Sequence, residues 1–595
     1  MAYGAQAKRV PSRGGGGLSD VDIYKLGVIG NTERGFSGLE HTEIYSWSDY
    51  ATKCGEYGEG TNYIGYTVKS FFDELNSDNP VELKVLGWVA ADAVQATYSM
   101  QDQDATAEEI FKIQAGRLNV ADESAYGNKI AVKVSSSEDV TAKLTADTLA
   151  TPVIASLDSV SNLEVGHYVR FVDTVGPADE VCIITAVSTS AKTISFAALT
   201  ATFPAATSTV SRIDIDLLVA VKDPAGNYEQ KEDWSEPMAF SSTIGIAGAV
   251  NNTVTGSNYI VMAHASANAT PDPDDQVPAE LTAWTALASG SDGTAAIDAN
   301  WVTLLESFTD TDVSILLSPE STSTTHNENM ATWCTSGYKC MYYAQSTDGA
   351  EEAELKNFGS LLRKGITFSM MPSDKWVEID DPIDGGKVNI PKVGIDAALW
   401  FNTYAKYGES KVAAGNKPEM VLNTSARLID TNDLVHDDVL GVGGRLIEKY
   451  SVNLCRFRRG VGITNNSART FSTDKGYMYQ NQIMQWILYR KSIVAYLQTI
   501  EQNRGGAKAQ NAHYRAVYTY MSKKHKAGHL ATIQKEDGSF TTFKDVCIIV
   551  NDFSINTLAA LAAGEEQIFL QFVAPPPIEK PILSLASASV TTVAG

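Results

Sequence analysis

The sequence predicts a multidomain chain of α/β and α+β type. At 595 residues it is too long for one core, and roughly three to five domains of about 100–200 residues are expected. Strand-like apolar runs alternate with segments of helical periodicity over 23–90 and again over 281–400, the rhythm of a helix-covered, largely parallel sheet. Between them, 146–212 shifts to Thr, Ser, Ala and Val with short alternating strands, the pattern of a small all-β insertion.

Hydrophobic residues make up 44 % of the chain and charged residues 20 %, ordinary for a soluble globular protein. The formal net charge of -24 opposes the basic field that general nucleic-acid binding needs, so no direct nucleic-acid partner is expected. It suits a particle component that avoids acidic polymers. No apolar run reaches the ~18 residues of a transmembrane helix, and the first residues, MAYGAQAKRVPSRGGGG, hold no apolar h-region. Neither membrane insertion nor a secretory signal is expected. The six cysteines (Cys54, Cys182, Cys334, Cys340, Cys455, Cys547) form no C-x-x-C pair. Cys334 and Cys340 have no further ligands nearby, so free buried thiols in a reducing cytoplasm are expected rather than zinc.

Residues 1–22 read as a Gly/Ser-rich N-terminal arm carrying Gly14 to Gly17, too polar to order alone. The N-terminal part of an α/β body spans 23–90. It has a core strand over 24–30, a helix starting near Ser48, a helix over 63–75 with Val68, Phe71, Phe72 and Leu75 on one face, and a strand over 81–86. A connecting α/β segment, 91–145, contains the turn Ala125-Tyr-Gly-Asn128 feeding a strand over 129–134. The insertion 146–212 places strands at 167–172, 181–187 and 193–196. Residues 213–280 hold a strand over 213–221, the turn Lys222-Asp-Pro-Ala-Gly226, and an acidic linker with Pro271, Pro273 and Pro278. A central α/β domain, 281–429, has helices at 301–308, 327–336, 351–362 and after Pro391, with strands at 313–317, 339–344 and 366–370. A C-terminal domain, 430–577, carries helices over 480–498 and 509–526 and strands near Leu454 and over 546–551. Residues 578–595 form a C-terminal arm.

The end of the chain organises the rest. Over 567–573, Ile568, Leu570 and Phe572 alternate with Phe569, Gln571 and Val573, as in a strand with one buried face. Pro575, Pro576 and Pro577 follow, stiff and without N–H donors. Ile578, Ile582, Leu583 and Leu585 then resume a strand-like run that no turn signal folds back. A strand held away from its own body carries unpaired backbone groups that another sheet edge satisfies. These four residues are therefore expected to exchange as a strand between copies of the chain.

Candidate chemistry is sparse. Gly290-Ser-Asp-Gly293 lacks the Lys-Ser/Thr of a phosphate loop and reads as a turn. Asp380, Asp381 and Asp384 miss the calcium-loop spacing. His513, His525 and His529 sit among Lys523, Lys524 and Lys526, whose charge disfavours a metal. No Ser/His/Asp order stands out, so no catalytic residue, cofactor or metal is expected. Two basic clusters stand out in so acidic a chain: Arg456, Arg458 and Arg459 with Arg469 and Lys475, and Arg515 with Lys523, Lys524 and Lys526. Either is ion-paired within the subunit or docks on an acidic protein surface.

The order of several segments resembles the tail sheath proteins of contractile bacteriophages. They are Leu26-Gly-Val-Ile-Gly-Asn-Thr-Glu-Arg-Gly35, the helix ending Ser70-Phe-Phe72, Ala125-Tyr-Gly-Asn128, Val221-Lys-Asp-Pro-Ala-Gly-Asn227 and Gly290-Ser-Asp-Gly293. Ile390-Pro391 before an Ala-rich helix, Ser451-Val-Asn-Leu454, Gly460-Val-Gly-Ile463, Ala468-Arg-Thr470, the 479–498 helix and the final strand with its prolines complete the series. The resemblance implies a structural, non-enzymatic subunit that polymerises with itself into stacked six-fold rings around a tail tube, with baseplate and terminator or neck proteins as further partners. It implies a virion tail assembled in the host cytoplasm, and contraction that drives the tube through the host envelope for genome ejection. Terminal arms pair with neighbours' strands in such proteins. The region 281–429 matches the part called subtilisin-like, and 430–577 with the terminal regions matches the inner, tube-facing α/β domain. Arg515, Lys523 and Lys524 are then expected to face the tube. Other readings are a sheath subunit of a non-viral contractile injection system and a hydrolase on the central α/β region.

Overall fold

A computed structural model describes the chain except residues 1–17, 37–41, 58–62, 104–108, 149–152, 265–276, 309–312, 371–375, 416–420, 422–426, 429–446, 501–506, 557–566, 578–595 and the single positions 224, 240, 242, 338, 384, 448, 454, 459 and 553. It is a mixed α/β chain with several sheets.

The largest core is built on a six-stranded sheet in the spatial order Ser369–Met370, Met341–Tyr343, Ile315–Leu317, Lys25–Gly30, Glu82–Gly87, Thr42–Ile44. All neighbours run parallel except the last pair. Its central strands are apolar on both faces because helices cover both, as a parallel sheet requires. Leu26 pairs with Leu83 on one side and Ile315 on the other. The helices Ile64–Glu74 and Val393–Tyr407 touch at Gly394, where a Cβ would fall 2.3 Å from the Thr67 carbonyl oxygen, so only glycine permits that approach.

One contiguous apolar core runs from Ile23 through Trp400, Ile487 and Met521 to Phe572 and Ala574. The segments read separately as 23–90, 281–429 and 430–577 thus share a core, because Lys25–Gly30 takes its parallel partner from residues 315–317.

The second body is antiparallel. An eight-stranded sheet has Ile130–Lys143 and Ser208–Lys222 at its centre, flanked by Leu281–Ala286, Tyr168–Asp173 and Tyr228–Pro237. Asp179–Ser188, Thr193–Phe196 and Ile154–Ser156 continue it. Inward residues of the two central strands serve two cores in succession: Val132, Val134, Ile215 and Leu217 in one, Ala142 and Val210 in the other. The all-β character expected of 146–212 is present, but the 212/213 boundary falls inside Ser208–Lys222, whose alternation runs from Ser211 to Val219 across it. Likewise Leu281–Ala286 joins this sheet rather than the central α/β region. A smaller sheet orders Ile260–His264, Glu109–Arg117 and Thr97–Gln101.

All six cysteines are buried and free. Burial pushes the Cys54 and Cys547 thiols up to about 12.

Candidate assembly site

The described chain ends in a two-stranded ribbon. Cys547–Val550 pairs antiparallel with Phe569–Phe572, Cys547 opposite Phe572 and Val550 opposite Phe569. The pairing continues through Val573 N–H to the Val546 carbonyl at 2.9 Å, and Ala531 N–H reaches the Val573 carbonyl at 2.9 Å. The alternation seen in the sequence has its cause here. Phe572 and Ala574 point inward, and the Phe572 ring lies 4.5 Å from Trp486 and 5.0 Å from Tyr489, centroid to centroid. Ile548, Phe569 and Val573 point outward and are 50 %, 49 % and 47 % exposed. Among the described residues neither strand pairs with a third. Among the described residues the ribbon therefore presents an apolar outer face and, beyond the Ala531–Val573 hydrogen bond, no further strand along its edges.

Val21 and Pro575, near the first and last described residues, are both anchored on one helix, Gln480–Ile500. Asn481 Nδ2 donates to the Pro575 carbonyl at 2.8 Å, and Val21 N–H donates to Ser492 Oγ at 3.1 Å. Eleven residues of helix separate these anchors, roughly 16 Å. Ile578, Ile582, Leu583 and Leu585 lie outside the described residues.

The helix Ala507–Lys526 separates the three cations expected to act together. Arg515, Lys523 and Lys526 are exposed on one stripe, at i, i+8 and i+11. Lys524 faces the other way and is buried. Its ammonium lies 2.8 Å from carboxylate oxygens of both Asp20 and Glu409, and 5.5 Å from the ring centroids of Tyr489 and Tyr520. Tyr520 Oη also donates to Asp20 at 2.6 Å. Lys524 thus fastens the N-terminal segment to the helix pair, a role its place in a Lys-Lys-His-Lys run conceals. In the other basic cluster, Arg456 and Arg458 belong to the hairpin Cys455–Arg458/Gly462–Asn465, and Arg459 lies outside the described residues.

Motifs distant in sequence clasp one another. Asn128 Nδ2 donates to the Gly290 carbonyl at 2.8 Å and its Oδ1 accepts from Gly290 N–H at 2.9 Å. Asp292 Oδ1 accepts from Ala125 N–H at 2.7 Å. The Gly290–Gly293 turn is thereby a structural loop docked on Ala125–Asn128. Asn453 and Arg469 are joined in the same reciprocal way, at 2.8 and 2.7 Å.

The fold does assemble one Ser/His/Asp group that the sequence order concealed. Ser318 Oγ and His326 Nε2 are 2.9 Å apart, and His326 Nδ1 is 4.0 Å from Asp298 Oδ1. The relay is incomplete: 4.0 Å is too long for a hydrogen bond. Asp298 accepts instead from Ser321 Oγ at 2.7 Å and Ser323 Oγ at 2.5 Å. Burial works to raise the Asp298 carboxyl, but these hydroxyls hold it below its ordinary value. Ser318 is 1 % and His326 0 % exposed, so no substrate reaches the hydroxyl. Burial drives the imidazole down to about 4.

The remaining candidates disperse. His529 Nδ1 is 3.2 Å from Ser410 Oγ, His513 stacks edge-on to Tyr496, and His525 contacts Phe543. Asp380 pairs with Lys387, Asp381 accepts from Tyr66 Oη at 3.2 Å, and Asp384 lies outside the described residues. Among the described residues there is no metal-ligating cluster and no helix long and apolar enough to cross a membrane. A cleft of about 330 Å³ between the two bodies is lined by Thr32, Trp88, Ser124 and Asp292 and holds the Glu33–Lys129 ion pair, 2.8 Å.

No protein-family model matches the chain, and no curated protein does. Among solved structures, it is similar to the sheath tail protein from Listeria innocua, at TM-score 0.49 and 9 % identity over 94 % of this chain and 96 % of that one. The sheath tail protein from Desulfitobacterium hafniense gives TM-score 0.47 and 10 % identity over 91 % and 93 %. The sheath complex of the extracellular contractile injection system PVC, in its contracted state, gives TM-score 0.39 and 15 % identity over 49 % and 75 %.

Proposed function

We propose that this chain is the sheath subunit of a contractile bacteriophage tail: a structural protein that polymerises around a tail tube and, on contraction, drives the tube through the host envelope for genome ejection. The ribbon carries the reading. A two-stranded sheet is marginal alone, and its open edges and apolar face are completed by an added strand. Just beyond its prolines the sequence has the strand-like run Ile578, Ile582, Leu583 and Leu585 that such an addition calls for. Each copy is then both donor and acceptor, a heterologous contact that builds helical polymers rather than closed dimers. The motif order that resembles phage tail sheaths supports the same reading, as does the anchoring of Val21 and Pro575 on one helix.

In this reading residues 1–22 and 578–595 are arms that hold neighbours together while subunits move between two lattices, the extended and the contracted. Residues 430–577 face the tube, with Arg515 and Lys523 as the cationic contact; Lys524 holds the N-terminal segment in place. The partners are other copies in stacked six-fold rings, the tube, the baseplate and the neck, in a virion tail assembled in the host cytoplasm. The chemistry is mechanical, with no catalytic residue or cofactor. The same assembly serves a sheath of a non-viral injection system, which is told apart by particles lacking a DNA-filled head.

Negative-stain microscopy of the expressed protein tests this. Long striated cylinders are expected, and a protein that stays monomeric at every concentration and salt contradicts it.

A further inference from the structure

Lys392, Asp396 and Asn465 close a hydrogen-bonded triangle away from solvent. Lys392 Nζ lies 2.7 and 2.8 Å from the two carboxylate oxygens of Asp396, one helical turn on. It lies 2.8 Å from Asn465 Oδ1, and Asn465 Nδ2 donates to Asp396 Oδ1 at 2.6 Å. Cys455, directly across the hairpin from Asn465, places its Sγ 2.9 Å from the same amide oxygen. Lys392 and Cys455 are 0 %, Asp396 2 % and Asn465 3 % exposed. An ordinary i, i+4 ion pair needs only the lysine and the acid. Here a carboxamide completes the group, its oxygen toward the amine and its nitrogen toward the carboxylate, so an acyl group, an amine and a proton carrier are held in direct contact.

We propose that Lys392 and Asn465 react with each other to form an intrachain isopeptide bond, with Asp396 carrying the protons. The Lys392 ammonium gives one proton to the Asp396 carboxylate, and the free amine attacks Asn465 Cγ. The Cys455 thiol donates to the oxygen as it gains charge. A second proton leaves the attacking nitrogen and is delivered through Asp396 to Nδ2, the Cγ–Nδ2 bond breaks, and ammonia departs. The ion pair and carboxamide become a secondary amide and a protonated acid. No oxidant or co-reactant enters.

Two physical effects favour the reaction. It removes two buried charges, whose desolvation is costly even when paired. It also joins groups already held in contact, so the entropy of bringing them together is met by folding. Burial pushes the Lys392 ammonium toward the neutral amine, the neighbouring Asp396 opposes this, and the balance leaves it above its ordinary value. The ammonium is thus the resting form, and the attacking amine is reached only by transfer of its proton along the hydrogen bond to Asp396. The product would staple the start of the helix Val393–Tyr407 to the hairpin that precedes Gln480–Ile500, closing a loop between positions 73 residues apart.

Mass spectrometry of the purified full chain tests this. The intact mass is expected to be one ammonia below that of the sequence. Trypsin is expected to spare Lys392 and release a branched peptide joining 388–406 to 460–469. Lys392→Arg should show the full mass and no branched peptide. An unmodified wild-type mass with normal cleavage at Lys392 overturns the proposal; so does an ammonia loss without the branched peptide, as from a succinimide. A branched peptide that still forms in Asp396→Ala overturns the role given to Asp396. The wild-type measurement stands whether or not the variants fold, and its outcome is independent of whether the protein polymerises.

Discussion

Arg34 and Asp122 form an ion pair that neither side chain shares with solvent: Nε lies 2.8 Å from Oδ2, and both are 0 % exposed. The two come from different bodies of the molecule. Arg34 follows the strand Lys25–Gly30 of the parallel sheet, and Asp122 follows the short strand Val120–Ala121 of the antiparallel body. Arg34 Nη1 also donates to the Thr52 carbonyl at 2.5 Å and Nη2 to the Asn258 carbonyl at 2.8 Å, so one guanidinium ties three segments. Burial alone would lower its affinity for a proton, but Asp122 together with Tyr126 and Tyr259 more than offsets that and raises it. Removing one partner of such a pair leaves a buried charge and typically costs about 3–5 kcal/mol. Arg34→Met is expected to lose stability on that scale in urea denaturation, with the loss falling on the junction between the bodies. A change below about 1 kcal/mol would show that the pair behaves as a surface bridge.

His326 sets a pH dependence. Its folded-state value, about 4, lies below the ordinary 6.5, so between these values the unfolded chain binds more protons than the folded one. Stability from the neutral imidazole is present above pH 6.5 and is lost as pH falls toward 4. The difference amounts to about 3 kcal/mol at most. His326→Gln should flatten the stability profile in that window, measured by thermal melts from pH 7 to 4. An unchanged slope would place the acid sensitivity elsewhere. The same burial predicts that fluorophosphonate probes leave Ser318 unlabelled in the native protein.

If the outer face of the ribbon is an assembly surface, substitutions there separate assembly from folding. Ile548 and Phe569 are half exposed, so Ile548→Lys with Phe569→Asp is expected to change subunit stability by no more than about 0.5 kcal/mol per site. Sedimentation should nevertheless show the double variant confined to monomers under conditions where the wild type forms polymers. Polymers of normal length from this variant would remove the ribbon from the interface.

Elements that announce themselves locally were legible. The helices Gln480–Ile500 and Ala507–Lys526 lie close to the expected 480–498 and 509–526, and Phe569–Phe572 follows from strict alternation. Long-range pairing was not. Nothing near Leu26 indicates that its partner is Ile315, because a parallel contact across so long a separation leaves no local pattern. The turn chemistry around 146–212 suggested a closed unit, yet strand alternation through Ser208–Lys222 carried the sheet past it. Charge type did not reveal direction: Lys523 and Lys524 are adjacent in sequence and opposite in environment, exposed and ion-paired. Ser318, His326 and Asp298 meet only because the strand Ile315–Leu317 ends where the helix Thr324–Thr335 begins. A helical alignment of Lys392 with Asp396 was available to i, i+4 spacing, but Asn465 joins them only through the hairpin.

On the proposed function, the end of each polypeptide completes β-structure in an adjacent copy. The most direct test of this is deletion of residues 578–595, followed by circular dichroism and electron microscopy beside the full-length protein. An unchanged, cooperatively folded subunit that forms no cylinders is expected. Long, regular cylinders from the truncated chain would contradict it.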